Sequence, residues 1–169
     1  MPAEYLVISA SLRPESLSRV LGQFLAEELE GEHLDLREFP LPMCDGDAAY
    51  GDPNVEKLRT RIAAARVILV AVPIYNFDAN AALKNLVELT GGAWEDKIVG
   101  FACAAGGQSS YMSIMGLANS LMLDFRCIIL PRFVYATGDD FDGGMITSTE
   151  VKRRLQQLAD SARRLHSER

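Results

Sequence analysis

The fold of this chain is decided by residues 67–76, which run Val67-Ile68-Leu69-Val70-Ala71-Val72-Pro73-Ile74-Tyr75-Asn76. Every residue of this stretch up to the tyrosine is apolar, and several are β-branched. This is the pattern of a strand that is buried on both faces. The run therefore predicts a central strand of a parallel sheet that is covered by helices on both sides.

Four other runs extend the same sheet. Residues 5–8, 98–103 and 127–130 are nearly continuous apolar runs, whereas residues 33–39 alternate polar and apolar positions, as an edge strand with one wet face does. Segments with helical spacing lie between the runs, and the last of them has a possible capping box at Thr147 and Glu150. We therefore predict an α/β protein with a flavodoxin-like, doubly wound, five-stranded parallel sheet of order 2-1-3-4-5 and helices on both faces.

The composition of the chain argues against several classes of partner. The 169 residues fit a single domain, 1–169, and 23 acids against 17 bases give a net charge of −6, which disfavours binding to nucleic acid. The start of the chain lacks the features of a signal peptide, and no run reaches the roughly 18 apolar residues of a membrane helix. We expect a cytoplasmic protein without membrane partners. Three widely spaced cysteines indicate buried thiols and no metal site: Cys44, Cys103 and Cys127.

Ligands of such a sheet bind outside the carboxyl ends of the strands, at the switch point. This places the site in residues 9–18, 73–80 and 104–111. The first segment carries four hydroxyls and Arg13 at the start of a helix, which suits a phosphate monoester, and it lacks the glycines of a dinucleotide fingerprint. The alternative is a serine helix cap beside a solvated arginine.

The other two segments add a surface for a flat ring. The second places Tyr75, Asn76 and Phe77 at a strand exit, where they either flank a planar ligand or form a plain turn with Asp78 or Asn80 capping the next helix. The third contains Gly106 and Gly107, whose backbone a ligand can approach closely. Together the segments predict a site for a mononucleotide that carries a planar ring system.

Both of the first two motifs resemble those of the NAD(P)H-dependent FMN reductase family, which includes quinone and azo-dye reductases. The family motifs match Ser9-Ala10-Ser11-Leu12-Arg13-Pro14-Glu15-Ser16-Leu17-Ser18, then Pro73-Ile74-Tyr75-Asn76 with Leu83-Lys84-Asn85, and more loosely Ala105-Gly106-Gly107-Gln108. The chain departs from the family pattern at Ala10, Ser18 and Asp78, where glycine, asparagine and serine are usual.

The resemblance implies FMN as cofactor and NAD(P)H as co-substrate. Hydride would pass in a ping-pong sequence from the nicotinamide to flavin N5, then to a small acceptor such as a flavin, a quinone or an azo compound. The phosphate would be held by Ser11, Arg13, Ser16 and Ser18. The ring would lie along Pro73, Ile74, Tyr75 and Asn76, with Gly106 and Gly107 at its pyrimidine side. Ser9 and Phe77 complete the predicted cofactor-binding set.

No side chain is assigned as an acid or base, because the flavin supplies the reactivity. His33 and His166 lie away from the three segments and are not expected to be catalytic. A flavodoxin-type electron carrier and a flavin-free binding module of the same fold stay open as alternatives, although Arg13 favours the reductase.

Two helical segments carry further expectations. Residues 111–123 are apolar around nearly the whole helix, and since family members commonly form dimers or tetramers, we predict a homodimer or homotetramer with this helix at the interface. The last helix carries a run of bases that is expected to be a solvated face: Lys152, Arg153, Arg154, Arg163 and Arg164.

Overall fold

The computed structural model describes residues 4–167. Its main strands are β1 (Tyr5–Ser9), β2 (Glu32–Asp35), β3 (Val67–Tyr75), a two-residue β4 (Asp78–Ala79), β5 (Ile98–Ala105), β6 (Ile128–Ile129) and β7 (Val134–Thr137). The helices are α1 (Leu17–Leu29), α2 (Pro53–Ala64), α3 (Ala81–Thr90), α4 (Met115–Phe125) and α5 (Thr149–Ser167). Within residues 4–167, no helix is both long enough and apolar enough to span a membrane.

The sheet has the predicted arrangement. Its order is β2-β1-β3-β5-β6, and all of these neighbours pair in parallel. This is the predicted order with a shift in numbering, because the short β4 pairs antiparallel with β3 and was not anticipated. The doubly wound α/β prediction is therefore confirmed.

Helices cover both faces of the sheet. Leu58, Leu86 and Leu121 bring α2, α3 and α4 onto one face, while Leu21 and Leu155 bring α1 and α5 onto the other. Gly100 of β5 has no room for a side chain, because a Cβ there would lie 2.8 Å from Leu69 Cδ2. The strands are thus buried on both sides, as their continuous apolar runs indicated.

The far edge of the sheet differs from the prediction. Residues 127–130 were expected to form the whole fifth strand, yet only Ile128–Ile129 pairs there, and the edge continues as β7 after an interruption at Pro131. Proline has no N–H to donate and breaks the ladder at this point. The edge strand therefore consists of two pieces, and its second piece reaches the carboxyl edge of β5.

Two local predictions also need correction. The run 33–39 is a strand only to Asp35, whose side chain accepts from Arg37 N at 3.0 Å and starts a short 3-10 helix over Leu36–Glu38. At α5 the helix cap is Ser148, whose Oγ accepts from Val151 N at 3.2 Å, while Thr147 Oγ1 donates to Asp140 O. The predicted capping box is thus wrong by one residue, and Glu150 pairs with arginines instead.

The three thiols are free, as expected, but they are not equally covered. Cys103 and Cys127 are buried, while Cys44 is partly exposed. Burial raises the pKa of Cys103 to about 12 and the pKa of Cys127 to about 11. Both buried sulfurs therefore stay protonated at neutral pH and serve as packing groups.

Candidate functional site

The three predicted segments meet in one cleft at the carboxyl edge of the sheet. Its volume is about 550 Å³. The structure brings these predicted residues together along its walls: Ser11, Arg13, Ser16, Ser18, Pro73, Ile74, Tyr75, Asn76 and Gly106. Four further lining residues lie within the predicted segments but were not named as contacts: Glu15, Leu17, Ala104 and Ala105. Only Gly138 of the lining falls outside these segments. Gly138 was missed because it follows β7, the unpredicted strand.

The first loop places its hydroxyls at the start of α1. Ser16 is the N-cap and accepts from Arg19 N at 3.3 Å, and its Oγ lies 2.9 Å from Ser18 Oγ. Ser11 Oγ accepts from Arg13 N at 3.2 Å. The first turn of α1 contains no acidic residue, so its unpaired N–H groups and the positive end of the helix dipole favour an anion in the cleft.

Arg13 is exposed and reaches solvent at the mouth of the cleft, while Arg19 holds the loop from behind. Arg19 Nη1 donates to Pro14 O at 2.7 Å, and Nη2 donates to Arg13 O at 2.8 Å. Its Nε lies 2.8 Å from Asp35 Oδ2, and only 12% of the Arg19 side chain is exposed. Arg19 thus fixes the shape of the first loop, a role that sequence reasoning missed.

Asp35 anchors this arrangement from the end of β2. Burial favours its neutral form, but hydrogen bonds from Arg37 and the charge of Arg19 together hold the pKa of Asp35 below its ordinary value. The carboxylate therefore stays charged at neutral pH. It fixes Arg19 from a strand that is far from the loop in sequence.

Ser9 does not line the cleft, although it belongs to the predicted set. Its side chain is fully buried, and its Oγ lies 2.8 Å from His33 Nε2. Gly22 of α1 is required here, because a Cβ would come within 2.5 Å of Ser9 Oγ. Burial lowers the pKa of His33, so the pair is a neutral contact that joins β1 and β2 beneath α1.

The second loop is a tight hairpin between β3 and β4. Tyr75 pairs with Asp78, and the two residues between them, Asn76 and Phe77, have φ of 50° and 66°. These values match a type I′ turn, which usually contains glycine or asparagine, so Phe77 is strained. Tyr75 and Asn76 line the cleft, whereas Phe77 is 62% exposed and lies outside the lining.

Asn80 joins the second loop to the first. It occupies the N-cap position of α3 but makes no side-chain cap bond. Its amide nitrogen instead donates to Ala10 O at 2.8 Å, and its buried Oδ1 has no partner among the described residues. Asn80 is therefore at the N-cap position, as the plain-turn alternative predicted. Its side chain does not cap the helix and instead connects the two loops.

The third loop leaves open space beside the cleft. A Cβ on Gly106, Gly107 or Gly138 would meet no atom within 4 Å. Gly107 lies outside the lining, and its carbonyl accepts from Tyr135 Oη at 2.5 Å. The fold itself therefore does not require a glycine at Gly106, and the backbone there is open to close approach by a ligand.

A parallel sheet of this order, with a hydroxyl-lined helix start and an open glycine edge at its switch point, defines a flavodoxin-like mononucleotide-binding protein. The model of the NADPH-dependent FMN reductase family matches residues 4–142, and the chain belongs to this family. The predicted family, its oxidoreductase class and its cofactors, FMN and NAD(P)H, are confirmed.

Individual proteins agree with this assignment. The chain is 27% identical to an NAD(P)H-dependent FAD/FMN reductase of Geobacillus thermodenitrificans, over 84% of this chain and 78% of that protein. It is 30% identical to an NADPH:quinone oxidoreductase of Arabidopsis thaliana, over 89% of this chain and 85% of that protein. The fold matches that of the flavoenzyme NAD(P)H:(acceptor) oxidoreductase FerB from Paracoccus denitrificans, with a TM-score of 0.77, 22% identity and coverage of 94% of both chains.

The residues that line the cleft fit FMN. The volume of about 550 Å³ lies within the roughly 300–1,000 Å³ that is usual for ligand pockets. The start of α1 suits the phosphate, and the open edge at Gly106 suits the flat ring. Glu15 is the one acid in the lining, and it lies directly before the Ser16 cap.

Proposed function

We propose that this cleft binds FMN through the residues described above, and that the chain reduces a small acceptor with electrons from NAD(P)H. The observation that carries the proposal is the cleft itself, in which the start of α1, the β3 exit and Gly106 line one cavity. When bound, FMN would supply the redox chemistry, which is ping-pong hydride transfer from the nicotinamide to the flavin and then to the acceptor.

The chain contributes binding and orientation. Ser11, Ser16, Ser18 and the N–H groups of α1 would hold the phosphate, and Arg13 would pair with it from the solvent side. Residues 73–76 support one side of the ring, and the hydrogen bond from Asn80 to Ala10 O keeps the two loops at a fixed separation. An open cleft with fixed walls would let the nicotinamide and the acceptor reach the bound flavin in turn.

The acceptor is a free flavin, a quinone or an azo compound, in keeping with the activities named for the relatives. The cytoplasmic location stays a prediction. A chain with a net charge of −6 suits small soluble substrates better than polymers of phosphate.

Colour tests the flavin directly. The purified protein is expected to be yellow, or to quench the fluorescence of added FMN, and NADPH should bleach the bound flavin in an anaerobic stopped-flow experiment. A colourless protein that leaves FMN fluorescence unchanged would contradict flavin binding. Bound flavin that neither NADPH nor NADH bleaches would identify a flavodoxin-type carrier instead.

Arg13→Ala is expected to weaken FMN binding by about 1.5–3 kcal/mol, because it removes a charge-assisted hydrogen bond to the phosphate. Fluorescence titration measures the change. Lys57→Ala on α2, which removes an exposed base remote from the cleft, is the matched control and should leave the affinity unchanged. If Arg13→Ala behaves like the control, Arg13 is only solvated.

We also propose that α4 packs against a second copy of the chain. Met115, Met122 and Leu123 are all exposed on this helix, and Leu123 is 71% exposed. Leu123→Glu should convert a dimer into a monomer in light scattering, because a charge would be buried at the interface. Met145→Glu, at an equally exposed apolar residue on another element, should leave the mass unchanged. A monomeric wild type at micromolar concentration would refute the proposal.

A further inference from the structure

A second cavity lies beside the edge strand, outside the flavin cleft. Its volume is about 190 Å³. It is lined by residues of the β5–α4 connection, of the interruption between β6 and β7, and of α5: Tyr111, Pro131, Arg132, Phe133, Arg153, Arg154 and Gln157. Three of these residues are arginines and none is acidic. The structure thus gathers bases from two separate parts of the chain around one hollow.

The charge of this cavity is not cancelled by its neighbours. Arg153 Nε and Arg154 Nε both donate to the carboxylate of Glu150, at 2.8 and 2.9 Å. Those hydrogen bonds lower the pKa of Glu150 to about 2, so it stays charged and compensates for only one of the three guanidinium groups. Arg132 Nη1 donates to the neutral Gln157 at 3.0 Å. The three arginines and Glu150 therefore carry a net charge of +2, three positive charges less one negative, on a chain whose net charge is −6.

Aromatic rings form another wall of the same cavity. The ring of Tyr111 lies 4.9 Å from that of Phe133, centroid to centroid, and 5.4 Å from that of Tyr135. Tyr135 in turn donates to Gly107 O in the third loop of the cleft. One aromatic contact and one hydrogen bond thus separate this cavity from the loop that carries Gly106. Flat apolar rings beside guanidinium groups suit a purine that carries a phosphate.

We propose that this cavity binds the 2′-phosphoadenosine end of NADPH while the nicotinamide lies in the flavin cleft. The proposal rests on the proposed function, because that function supplies the pyridine nucleotide that the cavity would bind. At about 190 Å³ the cavity is smaller than a usual ligand pocket, so it would enclose the 2′-phosphate and not the whole dinucleotide. The 2′-phosphate is the group that distinguishes NADPH from NADH, so Arg132, Arg153 and Arg154 make the chain prefer NADPH.

The bases of α5 were predicted to form a solvated helix face, and this prediction holds for only some of them. Lys152 and Arg164 are exposed and lie outside the cavity lining, and Arg163 donates to Asp160 and to Glu28 O of α1. Arg153 and Arg154 instead join Arg132 at the cavity. The α5 bases that belong to a site are thus only the two that face the edge strand.

Calorimetry with 2′,5′-ADP tests the site without depending on activity. The probe should bind at least about tenfold more tightly than 5′-AMP, which lacks the 2′-phosphate. The Arg153→Gln/Arg154→Gln double variant should lose this difference, and Lys152→Gln, on the same turn of α5, should keep it. Arg132→Gln is the second variant, because it leaves the pairs with Glu150 intact and therefore α5 undisturbed. Equal binding of the two probes to the wild type, or a difference that survives both arginine variants, would overturn the proposal.

Steady-state kinetics tests whether the cavity affects the choice between NADPH and NADH. The ratio of KM for NADH to KM for NADPH should fall at least about tenfold in the double variant relative to Lys152→Gln. An unchanged ratio would overturn the assignment of the 2′-phosphate to this cavity. A colourless protein that still distinguishes 2′,5′-ADP from 5′-AMP would sink the proposed function and leave the nucleotide site standing, so the two failures are distinguishable.

Discussion

Gly106→Val is expected to lower the affinity for FMN about a hundredfold while the free energy of unfolding changes by no more than about 0.5 kcal/mol. The two effects separate because a Cβ at this position meets no protein atom within 4 Å and would project into space that the ring needs. Fluorescence titration measures the affinity, and urea denaturation of the flavin-free protein measures the stability.

Gly51→Val is the matched control for this change. Gly51 lies in a short 3-10 helix before α2, and a Cβ there also meets nothing within 4 Å. This variant should bind FMN as the wild type does. If Gly106→Val retains wild-type affinity, the ring does not lie along the third loop, and the proposed orientation of FMN in the cleft is wrong.

Arg19→Met is expected to lower the free energy of unfolding by about 2–3 kcal/mol and the affinity for FMN about tenfold or more. The stability loss follows from the buried ion pair with Asp35, which retains Arg37 as its other partner. The affinity loss has a separate cause. Without the hydrogen bonds to the carbonyls of Arg13 and Pro14, the first loop would no longer be held in its binding shape.

Arg37→Met separates these two causes. Arg37 also pairs with Asp35, at 2.8 Å, but it makes no contact with the loop carbonyls among the described hydrogen bonds. Its loss should destabilise the fold by about 1 kcal/mol or less and leave FMN affinity unchanged. An Arg37→Met variant that binds FMN as poorly as Arg19→Met would show that Asp35, and not the loop hydrogen bonds, controls affinity.

Much of the fold could be predicted because its signals are local. The β-branched runs of β1, β3 and β5 specify buried strands by composition alone. The edge strand was predicted only in part, since Pro131 divides it and leaves two short pieces with weak patterns. The β3–β4 hairpin was missed because its sequence signal is also weak. Phe77 occupies a turn position with positive φ, where a glycine would have indicated the turn.

The residues of the candidate site were likewise predicted only in part. Ser11, Ser16 and Arg13 were predicted from their place after β1, and the structure puts them in one cleft with residues 73–76 and Gly106. Ser9 was placed in the same set, but its hydroxyl faces His33 instead. The side to which a side chain points at the end of a strand depends on contacts with distant elements, which a single sequence does not display.

By itself, the sequence determined the layered α/β architecture and the three loops that carry the site, because apolar periodicity is local and parallel strands always bring their carboxyl ends to one edge. Only the tertiary structure decided that Arg19 clamps the loop while Arg13 faces solvent, and that Arg132 joins Arg153 and Arg154 at a second cavity. Each of these outcomes depends on residues that are distant in the chain, such as Asp35 for Arg19, and they meet only when the sheet has brought their elements together.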